Sequence, residues 1–148
     1  MSKREFNQCM ENNHITLDNI ESFSNSFYIS IDGTIEKNYP AYFSENRENL
    51  LCLKFDDVGF EADMGHGLIA KPMSYEQGLD LYKFIMKHKD KKLCYVHCGA
   101  GISRSGAVGT FIQEISNTSY QEFFKMNQHI TPNYHVLSTL HSIHRENG

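Results

Sequence analysis

The stretch YVHCGAGISRSGA, residues 95–107, constrains this chain more than any other. An apolar run, LCYVH from Leu93 to His97, stops at Cys98. Gly99, Ala100 and Gly101 follow, and the pattern SGAVGTFIQEI from Ser105 onward reads as a helix. The order is therefore strand, tight loop, helix. Such a loop gathers several backbone N–H groups around one point, at the positive end of a helix dipole. Gly99, Ala100 and Gly101 let the backbone come close to whatever occupies that point. Arg104 adds a planar guanidinium that can grip two oxygens at once, which lysine cannot do. The arrangement predicts a cradle for a dianionic phosphate.

The same field acts on Cys98. A free thiol titrates near 8.5, and a helix N-terminus with a nearby cation lowers that to about 3.5–7.5. Cys98 is expected to be a thiolate poised for in-line attack on phosphorus. The hydroxyl of Ser105 can reach back to the sulfur and ease its departure. His97 is adjacent to Cys98 on a strand and so points to the opposite face. It reads as a brace for the loop and a tuner of the thiolate, not as a general base.

The rest of the chain frames this loop. Its 148 residues make one domain, 1–148, by the usual size relation, large enough to hold a core without staples. FYISI (Phe27 to Ile31) and NLLCLKF (Asn49 to Phe55) read as strands, the second covered on both faces. Residues 56–72, rich in acids and glycine, read as a loop able to move. Ser74 with Gln77 forms a capping box for a helix carrying Tyr75, Leu79, Tyr82, Ile85 and Met86 at helical spacing. Phe6, Cys9 and Met10 share one face of a short helix within Ser2–Asn13. Ser119 with Glu122 caps a further helix, and Thr131-Pro132 opens a last one with proline in its first position. Alternating strands and helices give an α/β domain: a small central, largely parallel sheet flanked by helices.

HCGAGISRS resembles the signature loop of the cysteine-dependent protein tyrosine phosphatases, and its AGISRS core is nearest to the dual-specificity branch. LCLKFDDV is similar to the strand and acid-bearing loop upstream of that signature, and TPNYHVLSTL to the final helix. The resemblance spans residues 26–144. It implies a phosphatase fold of the dual-specificity type and a phosphocysteine intermediate on Cys98. It implies phosphate binding by Gly99, Ala100, Gly101, Ile102, Ser103 and Arg104, with Asn133 bracing the loop. It also implies an upstream aspartate as general acid. Laying LKFDDV on the pattern places Asp57 there, with Asp56 as a near alternative or a loop brace, and Asp63 as a third candidate.

Function then reads as hydrolysis of phosphotyrosine in proteins, with phosphoserine and phosphothreonine as further substrates. The alternatives are a phosphotyrosine-binding pseudophosphatase and a phosphatase for a non-protein monoester. The loop positions Gly99, Ala100, Ile102 and Ser103 are neutral, which disfavours a highly anionic inositol ring. Tyr39, Tyr42, Phe43 and Phe60 are candidates for the pocket wall. A formal net charge of −4 argues against nucleic acid or an anionic membrane as partner. The expected partner is a phosphorylated protein, acted on by a cytoplasmic monomer without metal or other cofactor. His135, His141 and His144 do not share one tight face, as a metal site requires. Four cysteines in a chain that opens on polar residues read as reduced thiols. Cys94 lies too far along its own strand to reach Cys98. Cys52 is expected on a neighbouring strand, and so as the resolving partner of an oxidised Cys98.

Overall fold

The computed structural model describes residues 1–35, 40–116, 127 and 129–147. Three parallel strands form its centre: β1 (Ser26–Asp32), β2 (Leu50–Lys54) and β5 (Leu93–His97), in the order β2-β1-β5. Side chains alternate across a strand, so β1 serves two cores. Phe27, Ile29 and Ile31 face α2 (Tyr75–His88), α3 (Arg104–Ile115) and α4 (Tyr134–Asn147), against Leu81, Ile85, Val108, Phe111 and Leu140. Tyr28 faces the other way, onto Phe6 and Met10 of α1 (Lys3–Asn12). A sheet covered on both sides needs nearly continuous apolar strands, and that is how these sequences read. No helix of the described residues is long and apolar enough to cross a membrane.

Several helix boundaries follow from caps. Ser2 and Glu5 form a capping box that starts α1, and Ser74 and Gln77 form another that starts α2. Phe6 and Met10 are the buried face of α1. In α2 the buried stripe is Gly78, Leu81, Tyr82, Ile85 and His88, while Tyr75 is exposed. Pro132 does not open the last helix. That helix begins at Tyr134, because the Asn133 carboxamide accepts the Val136 N–H at 3.0 Å and acts as its cap. The helix expected from Ser119 lies outside the described residues.

Residues 56–72, expected to be a loop, carry a small antiparallel ladder of their own. β3 (Ala62–Asp63) pairs with β4 (Ile69–Ala70). The turn between them runs through Gly65, His66 and Gly67, all with positive φ (84°, 53° and 76°). Two glycines make this left-handed run accessible. The base of the excursion is closed by Asp56, whose N–H donates to the Lys71 carbonyl at 2.7 Å. Residues 57–70 thus form a projecting flap.

Candidate phosphate-binding active site

Cys98 directly follows β5, and α3 begins at Arg104, one residue earlier than the sequence pattern indicates. The thiol is 2% exposed, and its Sγ lies 3.2 Å from the Ser105 hydroxyl. Burial alone opposes a thiolate here. The Ser105 hydroxyl, the backbone N–H groups of Ser105 and Gly101, and the Arg104 charge outweigh it and hold the thiol below its ordinary pKa. The sulfur therefore sits where loop N–H groups converge. By contrast, burial pushes Cys94 and Cys52 upward, Cys52 to about 11.

The outside of the loop is sealed by main chain. The Lys3 N–H donates to the Gly99 carbonyl at 3.0 Å, and the Cys98 N–H to the Met1 carbonyl at 3.4 Å. Gly101 has φ 77°, and a Cβ on it would stand 2.4 Å from the Met1 carbonyl carbon. No other residue fits that position without moving the N-terminal segment.

His97 is fully buried on the α1 side of the sheet, its ring 4.4 Å from that of Phe6. Its Nδ1 lies 3.1 Å from the Cys98 carbonyl, and its Nε2 lies 2.6 Å from the Ser30 hydroxyl. A carbonyl can only accept, so Nδ1 carries the proton and Nε2 accepts from Ser30. Burial drops the His97 pKa to about 4 despite the carbonyl bond. The imidazole is neutral, and it braces the loop through the Cys98 carbonyl.

Three aspartates were candidates for the acid, and the structure separates them. Asp56 is buried and accepts from the Thr34 N–H, the Thr34 hydroxyl and the Lys71 N–H. Burial raises its pKa, but these bonds and one from the Ile35 N–H lower it further, and the net shift is downward. Asp56 is the clasp of the flap. Asp63 accepts from the Gly65 N–H at 2.8 Å and serves the flap turn. Asp57 alone meets the signature loop. Its Oδ1 accepts from the Ser103 hydroxyl and from the Asn133 carboxamide, both at 2.7 Å. Among the described residues both of these bonds fall on Oδ1 and none on Oδ2.

Arg104 is buried, and its guanidinium donates to the Phe55 carbonyl at 2.9 Å, two residues before Asp57. Asn133 braces the loop differently from the expectation. Its backbone N–H donates to the Ser103 carbonyl at 2.9 Å, while its side chain is spent on Asp57 and on capping α4. The Thr131 N–H holds the Ile102 carbonyl at 3.0 Å.

The expectations for Cys52, Phe43 and Tyr42 are corrected. Cys52 is not on a strand next to β5. β1 lies between them, with Ser30 in register with both Cys52 and His97. Two strand spacings put Cys52 about 10 Å from His97 between Cα atoms, and on the His97 face, away from the Cys98 thiol. A disulfide needs Cα atoms within about 7 Å, so Cys52 is not a resolving partner. Phe43 is buried in the second core with Phe6, and Tyr42 packs beside it, so neither is shown lining the mouth. Phe60 stays exposed on the flap, and Tyr39 lies outside the described residues. His135, His141 and His144 have separate partners: the Met73 carbonyl, Glu114 and the Tyr82 hydroxyl.

Sequence reading missed Ser30, Thr34 and the tie from Ser103 to Asp57. Ser103 stands at the N-cap of α3 without capping it. That unused hydroxyl is a signal visible only once the helix start is fixed.

A strand-end cysteine held below its ordinary pKa, the backbone N–H groups of Gly101 and Ser105 beside it, an arginine at the helix start and an aspartate tied to the loop make up the candidate phosphate-binding site. Among solved structures the chain is similar to a human tyrosine phosphatase-like serine/threonine/tyrosine-interacting protein, at 22% identity over 88% of this chain and 83% of that one, with a TM-score of 0.49. It is also similar to PTPMT1, solved alone and in complex with PI(5)P, at 20% identity and a TM-score of 0.46 for both; these cover 86–87% of this chain and 82% of that one. No protein-family model and no curated protein matches the sequence. Likeness of this degree concerns the course of the chain, and the chemistry below comes from the loop itself.

Proposed function

We propose that this chain is a cysteine-dependent phosphatase acting on phosphorylated proteins, with phosphotyrosine as the leading substrate. The observation that carries the reading is the Cys98 thiol, lowered in pKa although 2% exposed, at the focus of the loop. In the first step the Cys98 thiolate attacks phosphorus in line. The S–P bond forms as the P–O bond breaks, and the departing oxygen takes a proton from Asp57 Oδ2. Without that proton a phenoxide leaves badly, and general acids contribute about 10² to 10⁴ in rate. In the second step the Asp57 carboxylate takes a proton from water, which attacks phosphorus and expels the sulfur. The Ser105 hydroxyl, 3.2 Å away, stabilises the returning thiolate. Loop N–H groups and Arg104 stabilise the equatorial oxygens throughout.

The neutral loop positions favour a substrate with one phosphate. Turnover of phosphotyrosine, phosphoserine, phosphoinositide and RNA 5′-phosphate substrates on one enzyme preparation tests this. The expected result is phosphotyrosine first, with all activity lost in Cys98→Ser. Tight phosphate binding with no turnover of any of the four would establish a binding module instead.

A further inference from the structure

Six of the ten exposed large apolar side chains among the described residues lie on the loop or on segments tied to it: Phe60, Met64, Leu68 and Ile69 on the flap, Ile102 on the loop itself, and Tyr134 at the start of α4. Phe60 is 75% and Tyr134 83% exposed. The other four are Met1, Phe23, Tyr75 and Leu93, and four of the six come from one short stretch of chain, residues 60–69. The two sides of the mouth are linked. Asn133, next to Tyr134, holds Asp57 at the base of the flap, and a Cβ on Gly59 would stand 3.8 Å from the Cβ of His135. In the flap ladder Asp63 and Ile69 are directly paired and so share a face. Residues 57–70 include Asp57, Glu61 and Asp63 and no lysine or arginine, and both Glu61 and Asp63 are exposed.

We infer that the flap, with Ile102 and Tyr134 opposite, docks an extended phosphoprotein segment that has apolar and basic residues flanking its phosphorylated side chain. This rests on the phosphate-binding reading of the loop and deepens it. The apolar rim supplies area, and the acidic flap supplies sign: it repels acidic flanks and attracts basic ones. The same acids oppose an anionic lipid surface, so a protein segment is the better fit. Partial burial of one large apolar side chain on each flank is worth about tenfold in affinity.

The test is binding of labelled phosphotyrosine peptides to the Cys98→Ser chain, so that it stands apart from turnover. Three peptides differ only in flanks: apolar and basic, all glycine, or acidic. Expected is about tenfold tighter binding of the first than of the glycine peptide, with the acidic one weakest. Phe60→Ser combined with Met64→Ser should shrink the first ratio. Glu61→Lys combined with Asp63→Lys should reverse the order of basic and acidic flanks, a gain that misfolding cannot produce. Equal affinity for the three peptides overturns the inference. So does flap-dependent capture by phosphatidylcholine vesicles carrying a phosphoinositide, with no preference among the peptides. Hydrolysis of a small aryl phosphate by the unaltered chain reports on the phosphatase reading separately.

Discussion

The signature loop and the flap meet at Asp57, yet they are built on opposite terms. The loop is held from every side: by His97 beneath it, by the main chain of Met1 and Lys3 outside it, and by Thr131 and Asn133 along its far arm. The flap is a two-pair ladder around a left-handed turn, with its large apolar side chains in solvent. Catalytic groups need fixed positions, because stabilising a developing charge pays only if the dipoles are already aimed. Recognition of varied segments tolerates, and uses, a looser surface. The proposed acid sits at the junction, on the flap but tied to the loop.

The account can be broken most severely at that junction. Asp57→Asn should slow phosphotyrosine hydrolysis by about 10² to 10⁴ while sparing an activated aryl phosphate whose leaving group needs no proton. Steady-state kinetics on the two substrates decide it. Equal losses, or a greater leaving-group effect from Asp63→Asn, would move the acid elsewhere on the flap. On the loop side, Arg104→Lys keeps the charge and loses the fork. A fall in kcat of about a hundredfold or more is expected. Activity within a factor of two of the unaltered chain would show that charge alone suffices.

A third test uses stability and concerns the loop only. The pKa of His97 is about 4 in the folded chain, below the 6.5 of a free imidazole. The unfolded chain therefore binds a proton between those values that the folded chain does not. Stability from this group is complete above about 6.5 and is lost as pH falls toward 4. The loss is on the order of 3 kcal/mol over that window. Urea unfolding at pH 7 and at pH 4.5 measures it. His97→Gln should flatten the dependence, and an unchanged slope in that variant would assign it to other groups. The smallest effect is expected at Ser103→Ala. It removes one of the two donors to Asp57, worth about 1 kcal/mol, so phosphotyrosine turnover should fall severalfold. No change would mean that Asn133 alone positions the acid.

The loop was legible because its parts are contiguous: Cys98, the glycines, Arg104 and Ser105 state their geometry within eight positions. Strands β1, β2 and β5 and the helix capped by Ser74 were legible for the same local reason. Strand order was not, since nothing near Cys52 reveals that β1 lies between it and β5. That is why the proposed cysteine pair fails. Asn133 was found but its use was not, because its side chain answers to Asp57, 76 residues away. Thr34 was missed because its partner, Asp56, lies 22 residues away along the chain. Pro132 suggested a helix start that the Asn133 cap sets two residues later.

The central claim is that Cys98 carries the phosphoryl group. Mixing the chain with a phosphate-labelled aryl substrate, denaturing it rapidly in acid and mapping the peptides tests that directly. The label should appear on the peptide containing Cys98, as a thiophosphate ester, and should be absent from Cys98→Ser. Label on His97 or on any other residue, or turnover with no labelled peptide at any time point, would contradict the account.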